Sequence, residues 1–370
     1  MLNVDKLYRV RWNTFDNANA MVEPTTFCQL NCPKCYREVG KEGSRPINID
    51  LDIVRKEIDE LKKIRNIETV TLAGGDPLLY PHIIKLVKYC RKINIKVRIC
   101  TNGILLDSEL LIKLRNAGTN EVLIHLDKYQ GRGDENEQYA IRKRFCELFR
   151  EFPEVNLGFM VMIRGVEEDN LERLASFYIA NSDVIRLVSF IFTKDIRSEQ
   201  VQANPNTENL EKLIVFLSAR YNCSPAAYFG KKINKKIPSW LIFVPVFSDG
   251  RAIGYIDSSL YAISSKLARL IKGKHWFLTN KNTINPYTLF FGIFNLNARK
   301  ILKNYTKESI DNKFSNRMNY QIITVNYGPD QTSEGWDLCD PCPDAILYSG
   351  KLVPSCLLER IKEGENIQFQ

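Results

Sequence analysis

From about residue 20 to residue 192 the chain alternates short apolar runs with stretches of helical periodicity, and this alternation restricts the fold more than any other feature. Residues 21–27 read as a short strand. Residues 52–64 carry Ile53, Ile58, Leu61 and Ile64 at helical spacing, and residues 69–73 are a strand closing on Gly74-Gly75. Helices are predicted over 82–92, 108–117, 139–151 and 171–180, with strands over 96–100, 121–126, 155–163 and 184–192. Six strands separated by helices at this pitch require right-handed βαβ units and a parallel sheet. Six units are too few to close an eight-stranded barrel, so the predicted fold class is α/β, an open partial (βα)6 barrel with a mixed C-terminal extension. In such a sheet the chemistry gathers at the C-terminal ends of the strands.

The first of those ends carries Cys28-Gln-Leu-Asn-Cys32-Pro-Lys-Cys35-Tyr36. Three thiolates in eight residues can hold three irons of a cubane cluster and leave the fourth iron open to a small molecule. No fourth cysteine or histidine follows nearby. The plainer alternative is a structural zinc loop, which typically uses two Cys-x2-Cys pairs or Cys2His2. Gly74-Gly75-Asp76-Pro77 ends the second strand as a rigid turn that a ligand can approach closely, or as an ordinary β–α turn. Thr101-Asn102-Gly103 closes the third strand, and the fifth ends in Val161-Met-Ile163-Arg-Gly165-Val-Glu-Glu168.

The Cys-x3-Cys-x2-Cys run with its following aromatic resembles the signature of radical S-adenosylmethionine (radical SAM) enzymes. The other segments occur in the order that family would place them, so the resemblance covers about residues 21–192. It implies a [4Fe-4S] cluster on Cys28, Cys32 and Cys35, with SAM chelated at the open iron. One electron would then cleave SAM to methionine and a 5′-deoxyadenosyl radical. It further implies SAM contacts from Gly74, Gly75, Asp76 and Pro77, where the family carries Gly-Gly-Glu-Pro and receives the methionine amino group largely through backbone. Asn102, Asp127, Ile163, Gly165 and Glu168 are implied cofactor contacts as well. Two departures stand out: Asp76 replaces the family's Glu, and Val161 replaces the first glycine of the segment beside the adenine. Because the radical needs no acid–base triad, no catalytic side chain is assigned. His125 and Asp127, at the tip of the fourth strand with Lys128, Gln130, Arg132 and Asp134 after them, are candidates for ribose or substrate contacts or simply strand-end polarity.

Of the other cysteines, Cys90, Cys100 and Cys146 fall inside barrel elements and read as small core residues, and Cys223 is unassigned. Near the end stand Cys339-Asp-Pro-Cys342, a hairpin around Ser349-Gly350, and Cys356. This resembles part of the cysteine-rich SPASM or twitch extensions of some radical SAM enzymes, which makes Cys339, Cys342 and Cys356 candidate ligands of an auxiliary cluster. A zinc site completed by a distant ligand such as Cys223, or no metal there at all, stays open.

Residues 1–19 show no apolar h-region, so no secretory leader is expected; ten cysteines then argue for metal rather than a disulfide framework, and a reducing cytoplasm is the expected compartment. No apolar run approaches the length of a membrane span. The net charge of +9 is local: residues 258–307 hold no Asp or Glu, and nine cations (Lys266, Arg269, Lys272, Lys274, Lys281, Arg299, Lys300, Lys303, Lys307). There Leu260, Ile263, Leu267, Leu270 and Ile271 share a helical face, and Trp276, Phe277, Tyr287, Phe290, Phe291 and Phe294 follow. Such a segment suits an anionic membrane surface, single-stranded nucleic acid, or a structural cap whose apolar face is core.

The expected organisation is a lead-in over 1–20, the barrel core over 21–195, a capping or substrate region over 196–335, and the cysteine-containing extension over 336–370. The expected function is a radical SAM enzyme acting on a lipid or isoprenoid-like molecule, with a reductant such as flavodoxin or ferredoxin. Peripheral membrane contact is the further expectation, and nucleic acid is not an expected partner. Peptide maturation with an auxiliary cluster is the alternative within enzymes. A non-catalytic metal- or nucleic-acid-binding protein is the alternative outside them.

Overall fold

The computed structural model describes residues 3–33, 35–37, 45–167, 170–192, 207–233, 237–275, 295–311, 317–332, 335–339 and 341–367. After β1 (Tyr8–Arg9), strand and helix alternate through β2 (Asn19–Thr25), α1 (Leu51–Ile64), β3 (Thr69–Gly74), α2 (Ile83–Lys92), β4 (Lys96–Thr101), α3 (Ser108–Ala117), β5 (Thr119–His125), α4 (Glu135–Arg150), β6 (Asn156–Ile163), α5 (Leu171–Ala180) and β7 (Ile185–Phe192). Each predicted strand and helix of the barrel is present, with ends that differ by a few residues. The helices start where short acids can cap them. Asp50 accepts from Asp52 N–H, Asp107 from Leu110 N–H, and Asp134 forms a reciprocal capping box with Glu137.

Strands β2 to β7 pair in sequence order, all parallel, as the partial barrel requires. Pro24 is tolerated inside β2 because that strand is the edge of the sheet. Val22, Leu72, Ile99, Val122, Ile124, Phe159 and Val161 face the helices in one continuous core. Period-two alternation turns Asn19, Glu23, Thr71, Arg98, Cys100, Glu121 and His125 to the opposite, concave face. Buried polar groups there are paired: the Arg98 guanidinium bonds Glu121, and Thr71 donates to Asn19 Oδ1 at 3.1 Å.

Beyond β7 come α6 (Thr207–Arg220), β8 (Ala227–Ile233), β9 (Ile237–Phe243), β10 (Pro245–Ser248), β11 (Arg251–Tyr255), α7 (Ser258–Lys272), α8 (Leu296–Asp311), β12 (Met318–Tyr320) and β13 (Ile322–Asn326). Strands β11, β10 and β12 form a separate three-stranded sheet, while the others widen the barrel sheet: β13 adds parallel to β7, then β9, β8 and finally β1, giving ten strands in the order β1-β8-β9-β13-β7-β6-β5-β4-β3-β2. Short strands β14 (Asp330–Thr332) and β15 (Gly335–Asp337) lead to the predicted hairpin, β16 (Ala345–Tyr348) and β17 (Lys351–Pro354), and to helix α9 (Leu358–Lys362). The hairpin lies against β2. Buried Arg65 donates to the Cys342 carbonyl at 2.6 Å, and Asn19 Nδ2 to the Pro343 carbonyl at 3.0 Å. The C-terminal segment is thereby tied to the edge strand of the barrel.

Helix α7 is turned differently from the capping reading. Its buried side is Leu260, Tyr261 and Ser265, whereas Ile263, Leu267, Leu270 and Ile271 are exposed, the last two by 81% and 78%. Three of the nine cations are committed inward: Arg269 pairs with Asp16, Lys272 lies 3.7 Å from Glu68, and Lys274 donates to the Ile67 carbonyl. Trp276, Phe277, Lys281, Tyr287, Phe290, Phe291 and Phe294 lie outside the described residues. Among the described residues no helix is long and apolar enough to cross a membrane.

Candidate functional site at the C-terminal ends of the strands

The cysteine loop leaves β2 at its C-terminal end, and the turn after β3 is built against it. A side chain on Gly75 would put a Cβ 2.1 Å from the Phe27 carbonyl oxygen, and one on Gly74, which sits at φ +110°, would lie 2.4 Å from the Thr25 oxygen. Only glycine allows this approach. The Gly75 and Asp76 N–H groups donate to the Thr25 and Phe27 carbonyls at 2.9 and 2.6 Å. The Gly-Gly-Asp-Pro turn is therefore stitched to the residues just before Cys28.

Asp76 joins this turn to the next. Its fully buried carboxylate accepts from Leu78 N–H at 2.9 Å, from Thr101 Oγ1 at 2.8 and 2.9 Å, and from Asn102 N–H at 3.0 Å. Burial pushes this carboxyl upward, and those donors oppose the shift. Pro77 is buried at the head of the short turn Pro77–Leu79. Asn102 donates from Nδ2 to Cys28 Sγ at 3.7 Å and to Gln29 Oε1 at 2.9 Å, while its carbonyl accepts from Arg132 at 2.5 Å.

Two of the three thiols feel their neighbours. Burial raises Cys28, and it pushes Cys32 up to about 11, helped by Cys35 and Cys28. Asp127 adds to this effect on Cys32, so the tip of β5 borders the same space. Crowded sulfurs of this kind are poor thiolates by themselves, and a bound cation would deprotonate them. Leu30 N–H and Asn102 Nδ2 already point at Cys28 Sγ, at 3.4 and 3.7 Å. Among the described residues no three His, Cys, Asp or Glu side chains converge as one metal ion would need. A cluster instead takes each thiolate on a separate iron, which the donor set of this loop suits.

Other expected contacts fall less closely together. Asp127 is spent on local structure: Oδ2 bonds His125 Nε2 at 2.7 Å and accepts from Met162 N–H, and Oδ1 accepts from Tyr129 N–H. Burial works against its charge, but the His125 bond and these amides hold the carboxyl below its ordinary range. The Ile163 side chain is packed into the core, and Gly165 lies beside Asn209 of α6. Glu168 lies outside the described residues. Cys90 and Cys146 are buried in the core as expected of small apolar groups, and Cys223 joins them. Cys100, half-buried, faces the concave side, where burial pushes its thiol up to about 12.

In the C-terminal segment the neighbouring Cys339 thiol, with burial, pushes the free thiol of Cys342 well up. Cys356 is near enough to contribute.

A buried network that no motif announced lies behind the cysteine loop. Arg37, two residues past Cys35, pairs through Nε with Glu23 Oε2 at 2.7 Å and through Nη1 with Glu359 of α9. Tyr36 donates to Glu23 Oε1 at 3.2 Å. An acid inside an otherwise apolar strand, Met21-Val22-Glu23-Pro24, was the available signal, since such a group needs a partner.

Residues 22–178 match the radical SAM superfamily. A probable GTP 3′,8-cyclase of Pyrococcus abyssi is 25% identical over 225 residues, which cover 57% of this chain and 71% of that protein. Mycofactocin maturase of Mycobacterium tuberculosis is 27% identical over 172 residues, covering 45% of this chain and 43% of that one. Among solved structures, SuiB of Streptococcus suis bound to S-adenosylmethionine aligns with a TM-score of 0.43 at 18% identity, over 56% of this chain and 49% of that one. The chain thus spans about half the length of two of these three proteins.

Proposed function

We propose that this chain, an enzyme of the radical SAM superfamily by its match over residues 22–178, binds a [4Fe-4S] cluster through Cys28, Cys32 and Cys35 and places SAM between that loop and the turns after β3 and β4. The family's cofactors are that cluster and SAM, and its members require a reductant and a substrate. When bound and reduced, the cluster supplies the electron that breaks the sulfonium bond of SAM. The chain's own residues set the geometry. Gly74 and Gly75 bring backbone against the cysteine loop, and since the Gly75 and Asp76 N–H groups are already used by Thr25 and Phe27, carbonyl oxygens of the turn would receive the SAM ammonium group. Asp76 locks that turn to Thr101 and Asn102, and Asn102 steadies the loop at Cys28 and Gln29. The observation that carries the proposal is this mutual stitching of three strand ends around three thiols. It is tested by anaerobic reconstitution: wild type should take up about four irons per chain, and Cys32→Ala should lose them while keeping its circular dichroism spectrum. Full iron loading of Cys32→Ala would remove the assignment.

A second observation bears on the substrate. Of the lipid and peptide readings open from sequence, the exposed apolar face of α7 favours the lipid one. Ile263, Leu267, Leu270 and Ile271 face outward beside Lys266 in a segment without acids, which suits an anionic bilayer surface from which a hydrophobic substrate would be taken. Flotation with anionic vesicles is the test. Wild type should bind less as salt rises, and Leu270→Glu/Ile271→Glu should abolish binding at every salt concentration. Equal recovery of both proteins with vesicles would remove this reading.

A further inference from the structure

We propose that Arg37 and Glu359 form a clamp by which the C-terminal helix α9 holds the cysteine loop in its cluster-binding shape. Arg37 is thus a positioning residue, and the last part of the chain is a component of the cofactor site. The inference rests on the assignment of the cluster to Cys28, Cys32 and Cys35. Arg37 follows the third of these by two residues, and its side chain is 4% exposed. Its guanidinium forks, with Nε on Glu23 of β2 and Nη1 on Glu359, which lies 322 residues away in sequence. One fork thereby fixes the loop's exit to the strand that leads into the loop, and the other fixes it to α9.

The far side of the clamp is anchored independently of Arg37. Leu358 packs with Ile346 and Val353 of the hairpin, and Leu357 with Leu338 and Ile367. Arg65 and Asn19 hold the Cys342 and Pro343 carbonyls at the edge of the barrel. Glu359 is therefore a fixed point against which the loop is held. Exposed ion pairs contribute little, but here a buried guanidinium sits between two carboxylates, ion-paired to Glu23 and hydrogen-bonded to the part-exposed Glu359, a planar arrangement that lysine cannot reproduce. Lys362, which also reaches Glu359 at 3.1 Å but is itself 38% exposed, supplies the contrast.

The test compares Glu359→Gln, Arg37→Lys and Lys362→Gln with wild type by two readouts. In metal-free protein, peptide mapping after timed N-ethylmaleimide treatment measures the exposure of Cys35. Loss of one charge-assisted bond should speed its labelling by about tenfold in Glu359→Gln and Arg37→Lys and leave Lys362→Gln at the wild-type rate. In reconstituted protein the same two variants should lose iron to a chelator faster than wild type, with circular dichroism unchanged. Wild-type rates of Cys35 labelling in Glu359→Gln would overturn the clamp. A wild type that takes up no iron would overturn the cluster assignment instead, and the labelling comparison, made without iron, decides the clamp by itself.

Discussion

Asp76 offers a prediction that runs against the family pattern, because restoring the family's glutamate should damage this chain. The carboxylate is fully buried, and both oxygens are acceptors, Oδ1 for Leu78 N–H and Thr101 Oγ1, Oδ2 for Asn102 N–H and Thr101 Oγ1. Asp76→Asn keeps the shape but turns one acceptor into a donor, so either the Leu78 or the Asn102 amide must face an NH2 group. An unsatisfied buried donor of this kind costs about 1–3 kcal/mol. Asp76→Glu keeps the acceptors but adds a methylene to a fully buried side chain, and the turn cannot retreat toward β2, where a Cβ on Gly75 would already meet Phe27. Overpacking of that order costs about 1–3 kcal/mol. Both variants should lower the denaturant midpoint of the metal-free protein. Amide exchange at Asn102 should quicken by about tenfold or more, which corresponds to about 1.4 kcal/mol of local stability. Thr101→Val, which leaves the two backbone donors, should lose less. Asp76→Glu with the wild-type midpoint and unchanged Asn102 protection would refute the reasoning that Asp76 is a cross-brace fitted to its length.

Gly75→Ala should destabilise the metal-free protein by about 2 kcal/mol or more, since moving the turn off Phe27 forfeits two backbone bonds of about 1 kcal/mol each; urea unfolding checks this. Glu57 of α1 is pushed up to about 8 by burial and then by Glu23 and Glu60. The folded state holds that proton more tightly than the unfolded chain, so the associated stability is full below about pH 4.5 and is lost as pH rises through about 8. Glu57→Gln should therefore flatten the fall in melting temperature across that window, and an unchanged pH profile would contradict it. His125→Ala should leave the fold intact but free Asp127, whose carboxyl should then titrate higher, measurable by carboxyl carbon NMR.

The barrel was legible because its information is local. Helical spacing in α1 and the glycines after β3 each act within a few residues, whereas the cap at Asp134 went unread and the start of α4 was placed four residues late. The same locality made the Gly-Gly-Asp-Pro and Thr-Asn-Gly turns readable as neighbours of the cysteine loop. The four strands that widen the sheet were not legible, since the pairing of β13 with β7 or β1 with β8 joins segments far apart in sequence and leaves no periodic trace. The Arg37 network was hidden for the same reason. Helix α7 shows the converse case. Its apolar stripe was open between a core face and a membrane-facing one, and tertiary packing buries Leu260 with Tyr261 and Ser265 while leaving Ile263, Leu267, Leu270 and Ile271 exposed. Asp127 looked like a ligand contact because it is a carboxylate at a strand tip, and only coordinates reveal that His125, Tyr129 and Met162 already occupy it.

The most direct test of the central claim is product analysis of the anaerobically reconstituted protein incubated with SAM and dithionite. The account predicts 5′-deoxyadenosine and methionine in equal amounts from wild type, and neither from Cys28→Ala, Cys32→Ala or Cys35→Ala. An iron-loaded, folded wild type that leaves SAM intact, or a Cys32→Ala protein that cleaves it at the wild-type rate, would contradict it.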